Sequence, residues 1–211
     1  MPDPTSSPID ALSTGRLPTL VTPRLHLRWL DERDVPDLFT IYSDPQVARY
    51  TSRPPLKDHA EALAYLHEIY RFKSSRDGFQ WGVTLAEGDG AEDPRLGHGL
   101  GRVLGTLWLG HIDEKQGRAE VGYVLGRAAW GNGYIHEALG ALLGFAFGAL
   151  GLRRLEADVD PRNERSIRVA ERLGFVREGL LRERWLVGGE LQDTLLFGLL
   201  AREWRGPDSA R

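Results

Sequence analysis

The segment Ala119 to Ala138 (AEVGYVLGRAAWGNGYIHEA) combines residue types that could bind an anion. Its first part alternates as a strand does, and a turn made of Gly131, Asn132 and Gly133 leads directly into a predicted helix. The first backbone N–H groups of a helix have no partner within it, and the helix dipole favours negative charge at that end. The segment therefore predicts a turn that binds a pyrophosphate, although many turns with two glycines bind nothing.

Motifs that would give this turn a different role are absent from the sequence. No G-x-x-x-x-G-K-[ST] occurs, which excludes a P-loop, and no G-x-G-x-x-G follows a strand, which excludes the dinucleotide-binding fingerprint. The six histidines form neither H-x-x-x-H nor H-E-x-x-H, so we expect no metal site. No G-x-S-x-G elbow is present to expose a serine nucleophile.

Length and composition indicate a soluble globular protein. The chain has 211 residues, 41% hydrophobic and 27% charged, which is enough to bury a core without cross-links. No cysteine is present, so disulfides, thiolate metal sites and a cysteine nucleophile are excluded. A formal net charge of -3 offers no basic field for nucleic acid. No apolar run is long enough for a signal peptide or a membrane span, so we expect a cytoplasmic protein.

The chain is expected to form one domain over residues 20–205 with a tail at each end. Residues 1–19 contain four prolines and are expected to form a flexible tail, and residues 206–211 a second one. Residues 87–101 are rich in glycine and predict a long loop.

The elements that position the turn follow from hydrophobic periodicity and capping residues. In chain order we expect a strand at Arg24 to Leu30, a helix from Asp31 to Tyr42, a helix capped by Asp58, strands at Phe79 to Leu85, Val103 to His111 and Arg118 to Leu125, a helix from Asn132 to Leu150, a strand at Leu155 to Asp160, a helix from Asn163 to Leu173, and a hairpin with one strand to Val187, the Gly188-Gly189 turn and a second strand through Leu200. This order indicates an α/β, or mixed α+β, domain with a largely antiparallel sheet.

Short motifs occur in order between residues 20 and 204: T-P-R-L-H-L-R at 22–28, E-V-G-Y-V-L at 120–125, W-G-N-G-Y at 130–134 followed by Glu137-Ala138, N-E-R-S at 163–166, R-L-G-F at 172–175, D-T-L-L-F at 193–197, and Glu203-Trp204. With this spacing the sequence resembles the GCN5-related N-acetyltransferases (GNAT), and among them the Rim-like branch of ribosomal-protein N-terminal acetyltransferases. The resemblance implies a GNAT-like twisted sheet of about seven strands flanked by about four helices, and an acyltransferase that uses acetyl-CoA.

The resemblance also implies which residues would bind acetyl-CoA. Asn163 would hydrogen-bond the pantetheine arm or help to fix the acetyl end. The remaining binding residues would act through their backbones: Tyr123, Val124 and Leu125 along the pantetheine arm, and Gly131, Asn132, Gly133, Tyr134, Ile135 and His136 around the pyrophosphate.

One of these positions departs from the family pattern. The pattern of the first helix falls on Trp130, Gly133 and Ile135. Gly133 agrees with it, and Trp130 is usual in the Rim-like branch. The family places a small residue at the third position, so Ile135 could crowd the phosphate.

Acetyl transfer from a thioester to an amine requires a base, because the amine arrives largely as an ammonium ion at neutral pH. Glu120 is the first candidate, since its strand would border the acyl group, and Asp158 and Glu183 are the second and third. A purely structural interpretation of Glu120 is that it pairs with an arginine on a neighbouring strand.

The thiolate leaving group needs a proton donor. Many family members carry a tyrosine at the position of Ala170, so the usual acid is missing here. Ser166 matches a serine of the Rim-like branch and could supply the proton. Asn163 is also a good N-cap for the helix, in which case Ser166 would simply lie in the first turn.

The tryptophans of the predicted strands, Trp29, Trp81, Trp108 and Trp185, are expected to pack in the core. The segment after the first helix shapes the acceptor groove in this family. Tyr50, Arg53 and Trp81 could therefore line that groove instead.

The sequence favours an acetyl-CoA-dependent N-acetyltransferase that moves the acetyl group directly to a primary amine, preferably a protein or peptide N-terminus. A small amine, such as an amino acid, a polyamine or an antibiotic, is an alternative acceptor. A non-catalytic acyl-CoA sensor is an alternative of another class, which Ala170 and Ile135 leave open. We expect no nucleic-acid or membrane partner, and the chain could be a monomer or a homodimer.

Overall fold

A computed structural model describes residues 7–86 and 101–206 of the chain. These residues form eight strands and six α-helices, with short 3-10 helices at Glu32–Asp34 and Arg127–Ala129. The strands are β1 (Leu20–Val21), β2 (Leu25–Arg28), β3 (Gly78–Leu85), β4 (Gly105–Asp113), β5 (Arg118–Leu125), β6 (Arg154–Val159), β7 (Val176–Val187) and β8 (Glu190–Leu200). The helices are α1 (Pro8–Thr14), α2 (Val35–Tyr42), α3 (Pro45–Ala48), α4 (His59–Ser75), α5 (Tyr134–Gly148) and α6 (Glu164–Arg172).

All strands belong to one sheet with the order β1-β2-β3-β4-β5-β6-β8-β7. Neighbouring strands are antiparallel except for β5 and β6, which are parallel and pair only as far as Glu120 and Glu156. Beyond that pair β5 continues to Leu125 and β6 to Val159, with no ladder between them in the described residues. The two strands therefore separate and leave a cleft in the sheet, which we call the β5–β6 cleft.

The two faces of the sheet carry different helices. On one face, α5 and α6 bury an apolar cluster that includes Leu107, Leu109 and Val121. On the other face, α2 and α4 pack over β3 and bury a second cluster that includes Leu38 and Leu66. We call these the α5/α6 face and the α2/α4 face. Because side chains alternate along a strand, successive residues of β5 point to different faces.

The predicted mixed, largely antiparallel sheet is confirmed, and most elements begin and end within a few residues of the expected positions. The Asp58 side chain accepts a hydrogen bond from the Glu61 N–H and so begins α4 as predicted. The helix predicted from Asp31 is divided into a 3-10 turn and α2. None of the described helices is long and apolar enough to cross a bilayer.

The flexible tail predicted for residues 1–19 is wrong for most of the part that the structure describes. A reciprocal capping box between Ser7 and Asp10 begins α1, and Pro8 occupies the first helical position, where its missing N–H has no consequence. Ile9, Leu12 and Leu17 are buried in the apolar cluster that also contains Leu107 and Val121 of the sheet. Residues 1–6, most of the predicted loop at 87–101 and residues 207–211 lie outside the described residues.

Candidate active site

The turn before α5 presents a row of unpaired backbone donors. Gly131 and Gly133 have φ angles of +82° and +75°, a conformation that side-chain-bearing residues rarely adopt. Within the described residues, the N–H groups from Gly131 through His136 donate to no acceptor, and the first helical bond runs from Glu137 N–H to the Gly133 carbonyl. No atom of the described residues lies within 4 Å of a Cβ placed on Gly131, so the space above the turn is open. We call this turn the amide cradle.

Residues from the start of the sheet hold the amide cradle in place. Arg24 donates from Nη1 to the Asn132 carbonyl at 3.0 Å and from Nε to Glu137 Oε2 at 2.6 Å. Thr22 donates to the other oxygen of Glu137 at 2.6 Å. Burial raises the pKa of Glu137, but the hydrogen bonds from Thr22 and Arg24 outweigh it and leave the pKa lowered. These contacts fix the cradle in place. Because the Glu137 carboxylate already binds Thr22 and Arg24, it does not cancel the positive charge at the start of α5.

The side chains of the cradle leave its donors accessible. Asn132 folds its Nδ2 back onto the carbonyls of Ala129 and Trp130, at 3.2 Å each. Ile135 is only 6% exposed, so its side chain is withdrawn into the protein. Tyr134 and His136 are half-buried. The Ile135 side chain, which could crowd the phosphate, therefore lies away from the solvent-facing side of the turn.

Three candidate binding residues lie on β5 beyond the point where it leaves β6. Tyr123, Val124 and Leu125 pair with β4 on one side, and on the other side they border the β5–β6 cleft. The Leu125 carbonyl accepts a hydrogen bond from Trp130 Nε1 at 2.8 Å and is therefore already used inside the protein. The backbone facing the cleft has no strand partner among the described residues.

Glu120 lies on the α2/α4 face at the place where the cleft opens. Its Oε2 is 2.9 Å from His111 Nδ1. Burial raises the pKa of Glu120, and the hydrogen bond from His111 partly opposes that rise. In the described part of the chain no arginine lies within ion-pair distance of Glu120, whereas its register partner Glu156 pairs with Arg118 and Arg154. The structural interpretation of Glu120 as an arginine partner is therefore wrong.

The other two candidate bases lie farther along the sheet. Asp158 is two residues beyond Glu156 on β6, so it lies on the same face of the sheet. Burial raises the pKa of Asp158, while the neighbouring Arg184 lowers it. Glu183 lies exposed in a bulge of the edge strand β7, with a φ of +52°. Glu120 is the candidate placed where β5 and β6 part.

The α5/α6 face of the cleft carries two hydroxyl groups. Tyr123 points to this face, and its hydroxyl is buried with no hydrogen-bond partner among the described residues. Burial raises the pKa of Tyr123 to about 12, and a weak hydrogen-bonding interaction with the Ser166 side chain, outside ordinary hydrogen-bond geometry, partly offsets the rise. Sequence reasoning gave Tyr123 a backbone role only, because an alternating strand does not show which hydroxyl is left without a partner.

Asn163 caps α6, and Ser166 lies in the first turn. Asn163 Oδ1 accepts a hydrogen bond from the Ser166 N–H at 3.2 Å, so the capping interpretation is correct. Its Nδ2 group donates to no acceptor in the part of the chain that the structure describes. Ala170, one turn further along, is buried in the core. The cap thus leaves the amide donors of Asn163 available to a ligand.

The tryptophans of the strands divide into two groups. Trp81 is fully buried with its Nε1 donating to the Pro18 carbonyl, so it packs in the core and does not line a groove. Trp29 packs against both apolar clusters. Trp108 and Trp185 are half-buried and belong to neither cluster of the described residues, so the expectation of core packing is wrong for these two.

A protein-family model described as an acetyltransferase (GNAT) domain matches residues 24–176. This chain belongs to the GNAT family. The resemblance drawn from the short motifs is confirmed, and the chain is an acyltransferase that transfers acetyl groups. Members of the family use acetyl-CoA as the acyl donor and an amine as the acceptor.

Relatives and solved structures agree with this assignment along most of the chain. An uncharacterized N-acetyltransferase, p20, from Bacillus licheniformis is 36% identical over 188 residues, which cover 89% of this chain and 99% of that protein. A ribosomal protein uS5-alanine N-acetyltransferase from Escherichia coli is 27% identical over 192 residues, covering 88% and 92%. The crystal structure of a GCN5-related N-acetyltransferase from Brucella melitensis has a TM-score of 0.73 and 26% identity over 89% of this chain and 80% of that one.

Proposed function

We propose that this GNAT protein transfers the acetyl group of acetyl-CoA directly to the amine at the N-terminus of a protein or peptide. The observation that carries the proposal is the β5–β6 cleft, which has the amide cradle at one end, a carboxylate on one face and two hydroxyl groups on the other. The Escherichia coli relative supports a polypeptide acceptor, because its name gives an alanine of a ribosomal protein as the acceptor.

The residues at the cleft fit acetyl-CoA chemically. The N–H groups from Gly131 through His136, which are unpaired in residues 7–86 and 101–206 and lie at the positive end of α5, suit a pyrophosphate. The backbone of β5 that has lost its strand partner suits an extended pantetheine arm, which carries amides and can pair as an added strand does. Asn163 Nδ2 would donate to the same arm. When bound, acetyl-CoA supplies an acyl group that is already activated as a thioester.

Glu120 would accept the proton of the acceptor ammonium, directly or through water. The raised pKa of Glu120 makes its carboxylate a stronger base than an exposed one would be. His111 holds one carboxylate oxygen at 2.9 Å, and its own side chain is 66% exposed. The imidazole therefore connects Glu120 to solvent and gives the proton a way out of the site.

Ser166 would protonate the departing thiolate from the opposite side of the cleft, with the Tyr123 hydroxyl beside it. Glu120 and Tyr123 are three residues apart on one strand, so they face opposite ways. The amine would approach the acyl carbon from the α2/α4 face, and the thiolate would be released toward the α5/α6 face. This arrangement keeps the base and the acid from neutralising each other, as direct transfer requires.

The proposal is tested by acetyl-CoA titration in a calorimeter, followed by thiol release against pooled N-terminal peptides and small amines. We expect wild-type protein to bind acetyl-CoA and to release thiol only when peptides are present. Glu120→Gln should retain acetyl-CoA affinity and lose about a hundredfold or more of the turnover. Glu156→Gln is the matched control, because Glu156 is the register partner of Glu120 but is held by two arginines.

The other outcomes contradict specific parts of the proposal. Thiol release with small amines alone would overturn the polypeptide acceptor and leave acetyl transfer intact. Acetyl-CoA binding without release for any amine would favour an acyl-CoA sensor. Equal turnover of Glu120→Gln and wild-type protein would remove Glu120 from the role of base.

A further inference from the structure

The Trp108 indole lies on the sheet against three glycines, Gly78, Gly110 and Gly122. A Cβ placed on Gly78 would be 2.6 Å from the Trp108 Nε1, and one placed on Gly110 would overlap the six-membered ring. A Cβ on Gly122, across on β5, would lie 3.4 Å from Cε3. Each of three neighbouring strands thus has a glycine at the position that the indole covers. The indole therefore packs directly against the backbone of the sheet.

The indole does not belong to the core. Among the described residues Trp108 packs in neither apolar cluster, and its side chain remains partly exposed, whereas Trp81 on the next strand is fully buried. Its Nε1 donates to no acceptor in residues 7–86 and 101–206. A partly exposed aromatic side chain that lies outside the core can contact another molecule.

The position of the indole links it to the proposed base. Glu120 is the register partner of Gly110, and the indole lies over Gly110, so the ring and the carboxylate are neighbours on the α2/α4 face. His111 joins them, with Nδ1 at 2.9 Å from Glu120 and its ring centroid 5.1 Å from that of Trp108 at an interplanar angle of 90°. An aromatic face beside a carboxylate is a combination that binds ammonium groups.

We infer that Trp108 is an acceptor-binding residue, against whose partly exposed indole the acceptor's ammonium group rests before Glu120 takes the proton. This inference rests on the proposed function and specifies its acceptor: an amine that arrives as a cation with its ammonium end unobstructed. Tryptophan attracts a cation more strongly than the other aromatic side chains do. The indole thus selects for the charged form, and the carboxylate converts it to the neutral form that can attack.

Two substitutions at the same position separate a cation-binding role from a packing role. Trp108→Phe keeps an aromatic face, whereas Trp108→Leu keeps an apolar side chain without one. We expect Trp108→Leu to raise the KM for the peptide acceptor about tenfold and Trp108→Phe about threefold. We expect acetyl-CoA affinity to stay within about twofold in both variants, because Trp108 lies on the α2/α4 face and not at the amide cradle.

A direct binding experiment tests the inference without any turnover. The probes are choline and its uncharged isostere 3,3-dimethylbutan-1-ol, titrated calorimetrically into protein saturated with CoA. We expect wild-type protein to prefer choline about tenfold or more, and Trp108→Leu to lose most of that preference while Trp108→Phe keeps part of it. Glu120→Gln should lower the preference separately, because the carboxylate also attracts the cation.

A further variant moves the indole without deleting it. Gly110→Ala places a methyl group where the ring lies, so it should raise the acceptor KM much as Trp108→Leu does. Thermal unfolding of each variant verifies that the protein is folded. Equal choline affinity in Trp108→Leu and wild-type protein would overturn the inference. Absence of thiol release with every amine would overturn the proposed function instead, and the choline titration would still decide the role of Trp108.

Discussion

Glu120 and Tyr123 lie three residues apart on β5 and point to opposite faces of the sheet, one on each side of the β5–β6 cleft. A strand inside a complete sheet would direct these side chains into two separate environments. Because β5 has no partner on the β6 side beyond Glu120 among the described residues, both faces of the strand reach the same cleft. A single short strand therefore places a half-buried carboxylate and a buried hydroxyl group on either side of the space where an acyl group would lie.

The carboxylate of Glu120 should affect activity and stability in opposite directions. Its pKa is raised above the ordinary value of 4.5 by burial, so the folded protein holds this proton more tightly than the unfolded chain does. The stability contributed by Glu120 is therefore present at low pH and is lost as the pH rises through the raised pKa. We expect Glu120→Gln to increase the free energy of unfolding at pH 7 and to have little effect below pH 4.5.

Activity gives the opposite pH dependence, because a base must be deprotonated to act. The acidic limb of the kcat/KM profile should lie above pH 4.5 in the wild-type protein and should disappear in Glu120→Gln. Urea titrations and rate profiles measured over the same pH range provide both results. A variant that is less stable than the wild-type protein at pH 7 would contradict the assigned burial effect.

Two buried tyrosines should respond differently to the loss of their hydroxyl groups. Tyr42 Oη lies 2.7 Å from Thr106 Oγ1 and 2.9 Å from Tyr65 Oη, whereas Tyr123 Oη has no partner among the described residues. Tyr42→Phe leaves Thr106 without this partner and should lower the free energy of unfolding by about 1–3 kcal/mol. Tyr123→Phe removes a buried hydroxyl that has no well-formed hydrogen bond in the described residues, so it should be neutral or stabilising.

The hydroxyl of Tyr123 should nevertheless matter for turnover. If it assists Ser166, Tyr123→Phe should reduce kcat about tenfold without loss of stability, and Tyr42→Phe should not reduce kcat by more than its effect on folding explains. Denaturant unfolding and single-turnover rates compare the two variants. A strongly destabilised Tyr123→Phe would mean that this hydroxyl has a partner within the folded chain.

A buried ion pair fixes the start of α2 and should be important for stability. Arg28 donates to both oxygens of Asp34, at 2.9 and 2.7 Å, and the two side chains are only 7% and 6% exposed. Asp34→Asn leaves the guanidinium buried without a full counter-charge and should lower the free energy of unfolding by about 3–5 kcal/mol. The control is Asp31→Asn, which weakens the exposed pair with Arg33 and should change stability by about 1 kcal/mol or less. Similar losses in the two variants would show that burial is not the cause.

Local patterns predicted most of the fold. The alternation in RAEVGYVL placed β5 at Arg118–Leu125, and the Asn163 side chain caps α6 where the sequence predicted a helix start. Such features depend on residues within a few positions of one another, so a single sequence shows them. The prolines of residues 1–19 favour a flexible tail by composition and do not reveal α1, because Pro8 at the first helical position is compatible with a helix.

The arrangement of side chains around Glu120 depends on residues that are distant in the sequence. By alternation along β4, His111 would lie on the α5/α6 face, but a bulge after Gly110 and a φ of +48° at His111 turn it toward Glu120. Alternation likewise places Trp108 on a face of the sheet without showing whether a helix covers that face. The neighbours of Glu120 therefore follow from strand register and from the extent of α2 and α4, which a strand pattern alone does not contain.

Substitution of Gly133, which precedes α5 in the amide cradle, should have a different effect from substitution of Gly144 inside the helix. Gly133 has a φ of +75°, and an alanine there would strain the backbone and shift the N–H groups that begin α5. Gly144 lies inside α5 with ordinary helical geometry, and a Cβ there would meet no atom of the described residues within 4 Å. Gly133→Ala should therefore weaken acetyl-CoA binding about tenfold or more and destabilise the protein by about 1 kcal/mol.

Gly144→Ala should increase the free energy of unfolding by about 0.5–1 kcal/mol, because alanine loses less conformational entropy than glycine in a helix interior, and it should leave acetyl-CoA affinity unchanged. Calorimetric titration with acetyl-CoA and with CoA, at two salt concentrations, measures the effect at the cradle. The loss in Gly133→Ala should be the same for both ligands, because they share the pyrophosphate and differ only in the acetyl group. A loss specific to acetyl-CoA would place the pyrophosphate away from Gly131 through His136.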